Sequence, residues 1–324
     1  MSASNTDAPD TRPFDVVTFG EVMTLLLAGS DLPLSVADNL EVGMAGAESN
    51  LAIGLARLGH SVAFFGRVGG DVLGDRIRRG LRSEGIDTRW LVTDAGHPTG
   101  LLIRDSPNGR PVTVLYRRSG SAASHLSAAD VPTELIGRAR VLHATGITAA
   151  LSADAYKATL QAMTVARAAG VTVTFDPNVR LRLADAARWR EIVDVLARHA
   201  DIVFTGADEA DLISPDLPPA QWYTERGASV VVVKDGIRGA TEFDHDGALH
   251  QPAWNVTAVD PVGAGDAFNT GWLSAWLRGL GPAERMREAS VVAALVVATR
   301  GDCTGLPDTR TRDAVLADGQ DIDR

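Results

Sequence analysis

Short uninterrupted apolar runs recur along this chain, and most are followed by a stretch with helical spacing. "DVVTFG" (15–20) is the first, and "AESNLAIGLARLG" (47–59) the first helical stretch. "SVAFFG" (61–66) precedes "DVLGDRIRRGLRSEG" (71–85), and "RVLHATG" (140–146) precedes "DAYKATLQAMTVARAAG" (154–170). "VTVTFD" (171–176) precedes "AARWREIVDVLARHA" (186–200), and "DIVFTG" (201–206) and "SVVVVKDG" (229–236) follow. Strands that are apolar throughout, rather than at alternate positions, suit a sheet covered by helices on both faces. The alternation predicts an α/β fold with a mostly parallel sheet and right-handed crossovers. Leu51, Leu55 and Leu58 mark one buried helix face, and Gly59 is a good stop.

Two segments break this rhythm. Residues 24–43 and 99–120 read as strands joined by turns, with no helix pattern between them, and "SPNGRP" (106–111) centres on an Asn-Gly turn. They are expected to form a small β-sheet lid. The α/β body is then 14–23, 44–98 and 121–318, preceded by a loose polar tail, 1–13.

Composition removes several function classes. A formal charge of −10 argues against a nucleic-acid surface. The longest apolar run, Val291–Ala298, is too short to cross a bilayer. The tail has no apolar core of a signal peptide, and a single cysteine, Cys303, suits a reducing cytoplasm. Only Lys157 and Lys234 are lysines, and neither sits in a Walker A sequence. No dinucleotide fingerprint, hydrolase elbow or histidine metal spacing occurs.

The stretch "DPVGAGDAFNTGW" (260–272) carries more information. Glycines allow close backbone approach, and a helix starting near Ala264 offers unpaired N–H groups that favour an anion. Asp266 sits in the first turn. It is either an ordinary helix cap or a base that takes a proton from a hydroxyl attacking a phosphoryl group. "VKDGIRG" (233–239) is a second glycine-punctuated turn, either a tight hairpin or a site where Lys234 or Arg238 meets nucleotide phosphates. In "GADEADL" (206–212), Glu209 is either a dipole partner or a holder of magnesium through water. "FDPNVR" (175–180) ends a strand, and Arg180 is either a surface residue or an anion clamp.

With these motifs in this order, the chain resembles the ribokinase-like (PfkB) carbohydrate kinases over nearly its whole length. The carriers are "AGAESNLAIGLARLG", "GRVGGDVLGDRIRRGLRSEGI", "FDPNVR", "GADE", "VKDGIRG" and "DPVGAGDAFNTGW". The resemblance implies a ribokinase-like three-layer body with a β-lid, ATP as donor and Mg²⁺. It implies Asp266 as base and Gly263, Ala264 and Gly265 as anion hole. The nucleotide would meet Asn178, Lys234, Gly236, Arg238 and Gly239, and Glu209 would hold the metal's water. Asp260 matches a position that binds a monovalent cation in several relatives, which raises K⁺ as a further cofactor. Gly206 replaces the family's usual Asn, and Ala45 stands where Gly is usual.

Within the family the chain most resembles the 2-keto-3-deoxygluconate kinases, through "LYRRSGSAASHLSAAD", "LHATGITAALS", "DPNVR" and "TRGDCTG". That likeness implies a sugar acid bound by Gly46, Asn50, Tyr116, Arg117, Arg180 and Asp302, because arginine forks bind carboxylates in bidentate fashion. Leu102 and Leu115 stand where the subfamily can carry tyrosines. A neutral-sugar kinase (ribokinase or fructokinase) and a non-catalytic sugar sensor are the alternatives. Family lids often pair, so a homodimer through the lid is expected.

Overall fold

A computed structural model describes residues 12–29, 32–105 and 112–318. The expected turn at 106–111 and residues 1–11 of the expected tail lie outside the described residues. Arg12, at the end of that tail, donates from Nη1 to the Ala139 carbonyl at 2.9 Å.

Among the described residues, thirteen strands form two sheets. They are β1 (Phe14–Phe19), β2 (Met23–Ala28), β3 (Leu40–Ala45), β4 (Val62–Gly69), β5 (Asp87–Asp94), β6 (Leu101–Asp105) and β7 (Thr113–Arg117). Then come β8 (Ala139–Thr145), β9 (Thr172–Asp176), β10 (Ile202–Gly206), β11 (Val230–Lys234), β12 (Ala240–Asp244) and β13 (Gly247–Gln251). The large sheet runs β13-β12-β11-β10-β9-β8-β1-β4-β5. Every pairing from β11 to β5 is parallel; the β11–β12 and β12–β13 pairings are antiparallel. Apart from β5, an edge strand the sequence runs did not mark, the parallel strands are the continuous apolar runs of the sequence, and helices cover both faces.

The helices are α1 (Ala47–Arg57), α2 (Val72–Ser83), α3 (Thr133–Ile136), α4 (Gly146–Ala150), α5 (Ala153–Ala168) and α6 (Ala186–Ala197). They continue as α7 (Ala207–Ile213), α8 (Pro219–Thr224), α9 (Ala264–Leu277), α10 (Pro282–Val297) and α11 (Thr309–Asp318). One core cluster joins α3, α5, α6 and α8 to the sheet around Trp189; the other joins α1, α2, α9 and α10 around Trp272. Each of these fully buried indoles removes roughly 150–250 Å² from water and also needs a partner for its N–H. Trp189 donates to the Arg180 carbonyl at 3.1 Å, and Trp272 to Glu242 Oε2 at 2.7 Å. The first of these bonds ties a core side chain to the "DPNVR" loop.

The smaller sheet has the order β3-β2-β6-β7. Its strands fall in the two segments that lacked helical spacing. One face buries Met23, Leu25, Leu27, Ala45 and Leu102, with Val114 and Tyr116 packed on them. The other face leaves Leu40, Val42 and Leu115 exposed. Strand alternation explains the split, since odd and even positions point to opposite sides.

Candidate active site

Asp176, Gly206–Glu209 and Lys234 stand at the carboxyl ends of β9, β10 and β11, where parallel α/β sheets gather their ligands. The N-termini of α1 and α9 approach the same place. Asp266, in the first turn of α9, accepts from Asn50 Nδ2 at 2.9 Å and from Asn178 Nδ2 at 3.4 Å. Burial raises its carboxyl to about 7, the Asn50 bond pulls it down, and the charge of Asp176 pushes it up again. Asp266 nevertheless keeps part of its surface exposed, as a group that must meet a substrate does.

The turn before it has the backbone that "VGAG" predicts. Gly263 caps α9 in the left-handed region, with φ 83°. A Cβ there would lie 2.3 Å from the Asp302 carbonyl oxygen, so conformation and space both demand glycine. The first amides of a helix have no intrahelical acceptor. Ala264 turns its N–H back to the Pro261 carbonyl at 3.3 Å. Of the expected anion hole of Gly263, Ala264 and Gly265, Ala264 thus has its N–H engaged within the turn.

Lys234 does not extend toward solvent. Its ammonium donates to Asp176 Oδ2 at 2.7 Å and Asn269 Oδ1 at 3.3 Å, and Asn269 Nδ2 donates to the same Asp176 oxygen at 2.6 Å. Burial alone would push the Asp176 carboxyl up; Lys234 and Asn269 outweigh it and hold the group below its usual range. Sequence reasoning missed both Asp176 and Asn269. Each lay inside a quoted motif, but only the fold shows that they share one cation.

Glu209 is a bridge. Its Oε2 accepts the N–H of Gly206, the N-cap of α7, at 3.1 Å, and its Oε1 accepts the Val179 N–H at 2.9 Å. Burial, followed by the charge of Asp176, raises its carboxyl. The loop it braces carries Asn178, whose φ of 45° is the one positive value outside glycine among the described residues. Asn tolerates that region, and Asn178 N–H donates to Asp176 Oδ1 at 3.0 Å. Arg180 is half-exposed and lies 3.8 Å from Glu209.

Arg117 and Arg238 point away from this cluster, and other expected residues meet the backbone or one another. Arg117 is on the exposed face of β7 and donates only to its neighbour's carbonyl. Arg118, which the sequence reading passed over, is on the body side, over the Tyr116 ring and 2.5 Å from Glu21 Oε2. The period-two alternation was the available signal: with Tyr116 inward, Arg117 must point out. Arg238 is exposed and paired with Asp235 in the turn of "VKDGIRG", which joins β11 to β12 as a hairpin. In that turn Gly236 has open space, whereas a Cβ on Gly239 would meet the Gln251 carbonyl oxygen at 2.1 Å. Gly46 has φ 152°, and a Cβ there would strike the Glu21 carbonyl oxygen at 2.3 Å, so its glycine serves backbone approach. Ala45 and Leu102 are buried in the small sheet's core, whereas Leu115 faces solvent. Asp260 and Asp302 are buried and share one partner, Arg104 of β6.

Asn50 Oδ1, beside Asp266, and Arg118 Nε and Arg104 Nε, on the small sheet's inner side, are buried without a partner. Buried polar groups are ordinarily satisfied. Asn50 Oδ1 and Arg118 Nε are thus an acceptor and a donor with unused capacity.

A carboxylate at a helix start, with amides around it and oxygen-rich side chains beside it, is an arrangement that suits phosphoryl transfer to a hydroxyl. The family comparison agrees: residues 14–309 match the pfkB family carbohydrate kinase model, and the chain belongs to that family. It is a carbohydrate kinase, and ATP is the phosphoryl donor that the family implies. The chain is 38% identical to the 2-dehydro-3-deoxygluconokinase of Bacillus subtilis, covering 90% of this chain and 92% of that one. It is 34% identical to the enzyme of the same name from Thermoproteus tenax, covering 95% and 96%. A solved PfkB protein from Polaromonas sp. JS666 superposes with a TM-score of 0.85 at 38% identity, covering 93% of this chain and 99% of that one.

Asp176, Glu209 and Asp266 offer the hard oxygens that Mg²⁺ takes, near the cations of Lys234 and Arg180. Their oxygens do not all lie within 4.8 Å of one another, as direct ligands of one ion would, so these carboxylates fit a divalent cation held through water. No helix among the described residues is long and apolar enough to cross a membrane.

Proposed function

We propose that the substrate is a sugar acid of the 2-keto-3-deoxygluconate type and that Asp266 is the base. The observation that carries the base is its position: a carboxylate raised to about 7, steadied by Asn50 and Asn178, at the start of a helix with unpartnered amides. A base poised near the working pH balances ionisation against proton affinity. Asp266 would take the proton of a primary hydroxyl as that oxygen attacks the γ-phosphoryl group. The amides of Gly263, Gly265 and Asp266 would hold the charge on the transferring group. Mg²⁺, when bound, would neutralise phosphate charge, with Glu209 and Asp176 holding its water. Lys234 balances Asp176 and keeps the Asp266 base from being pushed still higher.

The substrate class rests on Arg118. Its unpartnered Nε faces the region between the small sheet and the body, where a carboxylate would be met by a guanidinium. Two of the relatives are named for a sugar-acid substrate. Sheet β3-β2-β6-β7 would close over the sugar and exclude water, limiting ATP hydrolysis. Its exposed face, with Leu40, Val42 and Leu115, supports pairing of two lids in a homodimer, which a light-scattering mass would test. The single half-buried cysteine accords with a cytoplasmic setting.

The test is a coupled ADP-release assay over sugar acids and neutral sugars. Turnover on 2-keto-3-deoxygluconate well above that on ribose and fructose is expected. Preference for a neutral sugar would overturn the sugar-acid reading and leave the kinase standing.

A further inference from the structure

Arg104 lies on β6, and its side chain is 1% exposed. Its Nη2 donates to Asp260 Oδ2 at 2.5 Å and its Nη1 to Asp302 Oδ1 at 2.7 Å. Asp260 Oδ2 also accepts the Gly301 N–H at 3.1 Å, and Asp260 Oδ1 accepts the Val262 N–H at 3.1 Å. Both oxygens of Asp260 are therefore engaged, by one guanidinium and two amides. Asp302, the second carboxylate, sets its main-chain oxygen against Gly263, the cap of the α9 turn.

The resemblance to relatives with a monovalent cation at Asp260 does not fit this donor set. A free alkali ion would have to displace a tethered guanidinium, leaving that guanidinium buried and unpaired, which is strongly unfavourable.

We propose that Arg104 is the built-in cation of the Asp260–Asp302 site, making turnover independent of free monovalent cations. It is also a positioning residue for the Gly263–Asp266 turn. One strand of the small sheet thereby reaches the loop 300–305 and the cap of α9. The sheet's seating and the geometry of the anion hole are coupled through one side chain. This role rests on the reading of that turn as the phosphoryl site. The cation's identity does not, so a melting measurement tests it separately from turnover.

The experiment compares wild type, Arg104→Met and Arg104→Lys in KCl and in tetramethylammonium chloride, reading Tm, kcat and KM. For wild type, Tm and kcat should be the same in both salts. Arg104→Met should lose roughly 10²-fold in kcat, with a smaller change in KM for ATP, as a displaced turn would. Its Tm should rise with KCl but not with tetramethylammonium, because two buried carboxylates now bind the free ion. Arg104→Lys keeps a cation and should stay insensitive to K⁺. A wild type that needs K⁺ overturns the proposal, even where Arg104→Met does not fold. A folded Arg104→Met at wild-type kcat overturns the positioning role. An Arg104→Met whose Tm ignores K⁺ reduces Arg104 to a structural strut and overturns its reading as the site's cation. Were no variant or wild type to turn over any sugar, the Tm comparison would still decide the cation, and the kinase chemistry alone would fall.

Discussion

Asn50 Nδ2 lies 2.9 Å from Asp266 Oδ2, joining the first turn of α1 to the first turn of α9 across 216 residues. The bond leaves the Asn50 carbonyl oxygen without a partner. One side-chain amide thus holds Asp266 and keeps its own oxygen unpartnered.

Asp266→Asn should abolish most turnover while ATP binding persists. Loss of a general base costs about 10²–10⁴-fold. The ADP-release assay and nucleotide titration check the pair; a variant turning over near the wild-type rate removes Asp266 from the base role.

The pH dependence has a definite sign. A base at about 7 must be ionised to act, so kcat/KM should fall as pH drops through that value. Asn50→Ala removes the bond that pulls the carboxyl down, and should move this acidic limb to higher pH. For stability the same shift acts in reverse. The folded carboxyl lies above the ~3.9 of an unfolded Asp, so the native state binds more protons between these values and loses stability as pH rises through them. Asp266→Asn escapes that loss. Its Tm, relative to wild type, should be higher at pH 8 than at pH 4, by roughly 1–2 °C for each kcal/mol relieved in a chain of 324 residues.

Lys234→Met leaves Asp176, 1% exposed, without its cation. Breaking a buried pair on one side costs about 3–5 kcal/mol. The second change Asp176→Asn should recover much of it, as coupled neighbours do. Urea midpoints of the two single variants and the double variant give the interaction energy directly; strict additivity would contradict the pairing.

Arg118→Leu and Arg117→Leu should separate sharply. Arg118 is on the body side and Arg117 on the exposed face. A hydrogen bond to a charged group is worth about 1.5–3 kcal/mol, so Arg118→Leu should raise KM for a sugar acid roughly 10–100-fold. Arg117→Leu should leave it unchanged. Initial rates against substrate concentration decide, and the opposite pattern would reverse the faces of β7.

The architecture was legible because its signals are local. A continuous apolar run such as "VTVTFD" announces β9 within its own residues, and Asp71 caps α2 through amides two and three residues away. "VGAGD" likewise contains its own turn, its helix start and its carboxylate. These determined the α/β body, the separate small sheet and the place of Asp266. Only the tertiary structure decided which side chains share a charge. Arg104 meets Asp260 and Asp302 from 156 and 198 residues away, and Lys234 meets Asp176 from 58. No spacing rule links such positions, because their contact depends on strand order in two sheets. The choice between Arg117 and Arg118 is of the same kind. Adjacent arginines are equivalent in composition and opposite in space, and the pleat of β7 tells them apart only once Tyr116 is known to face the core.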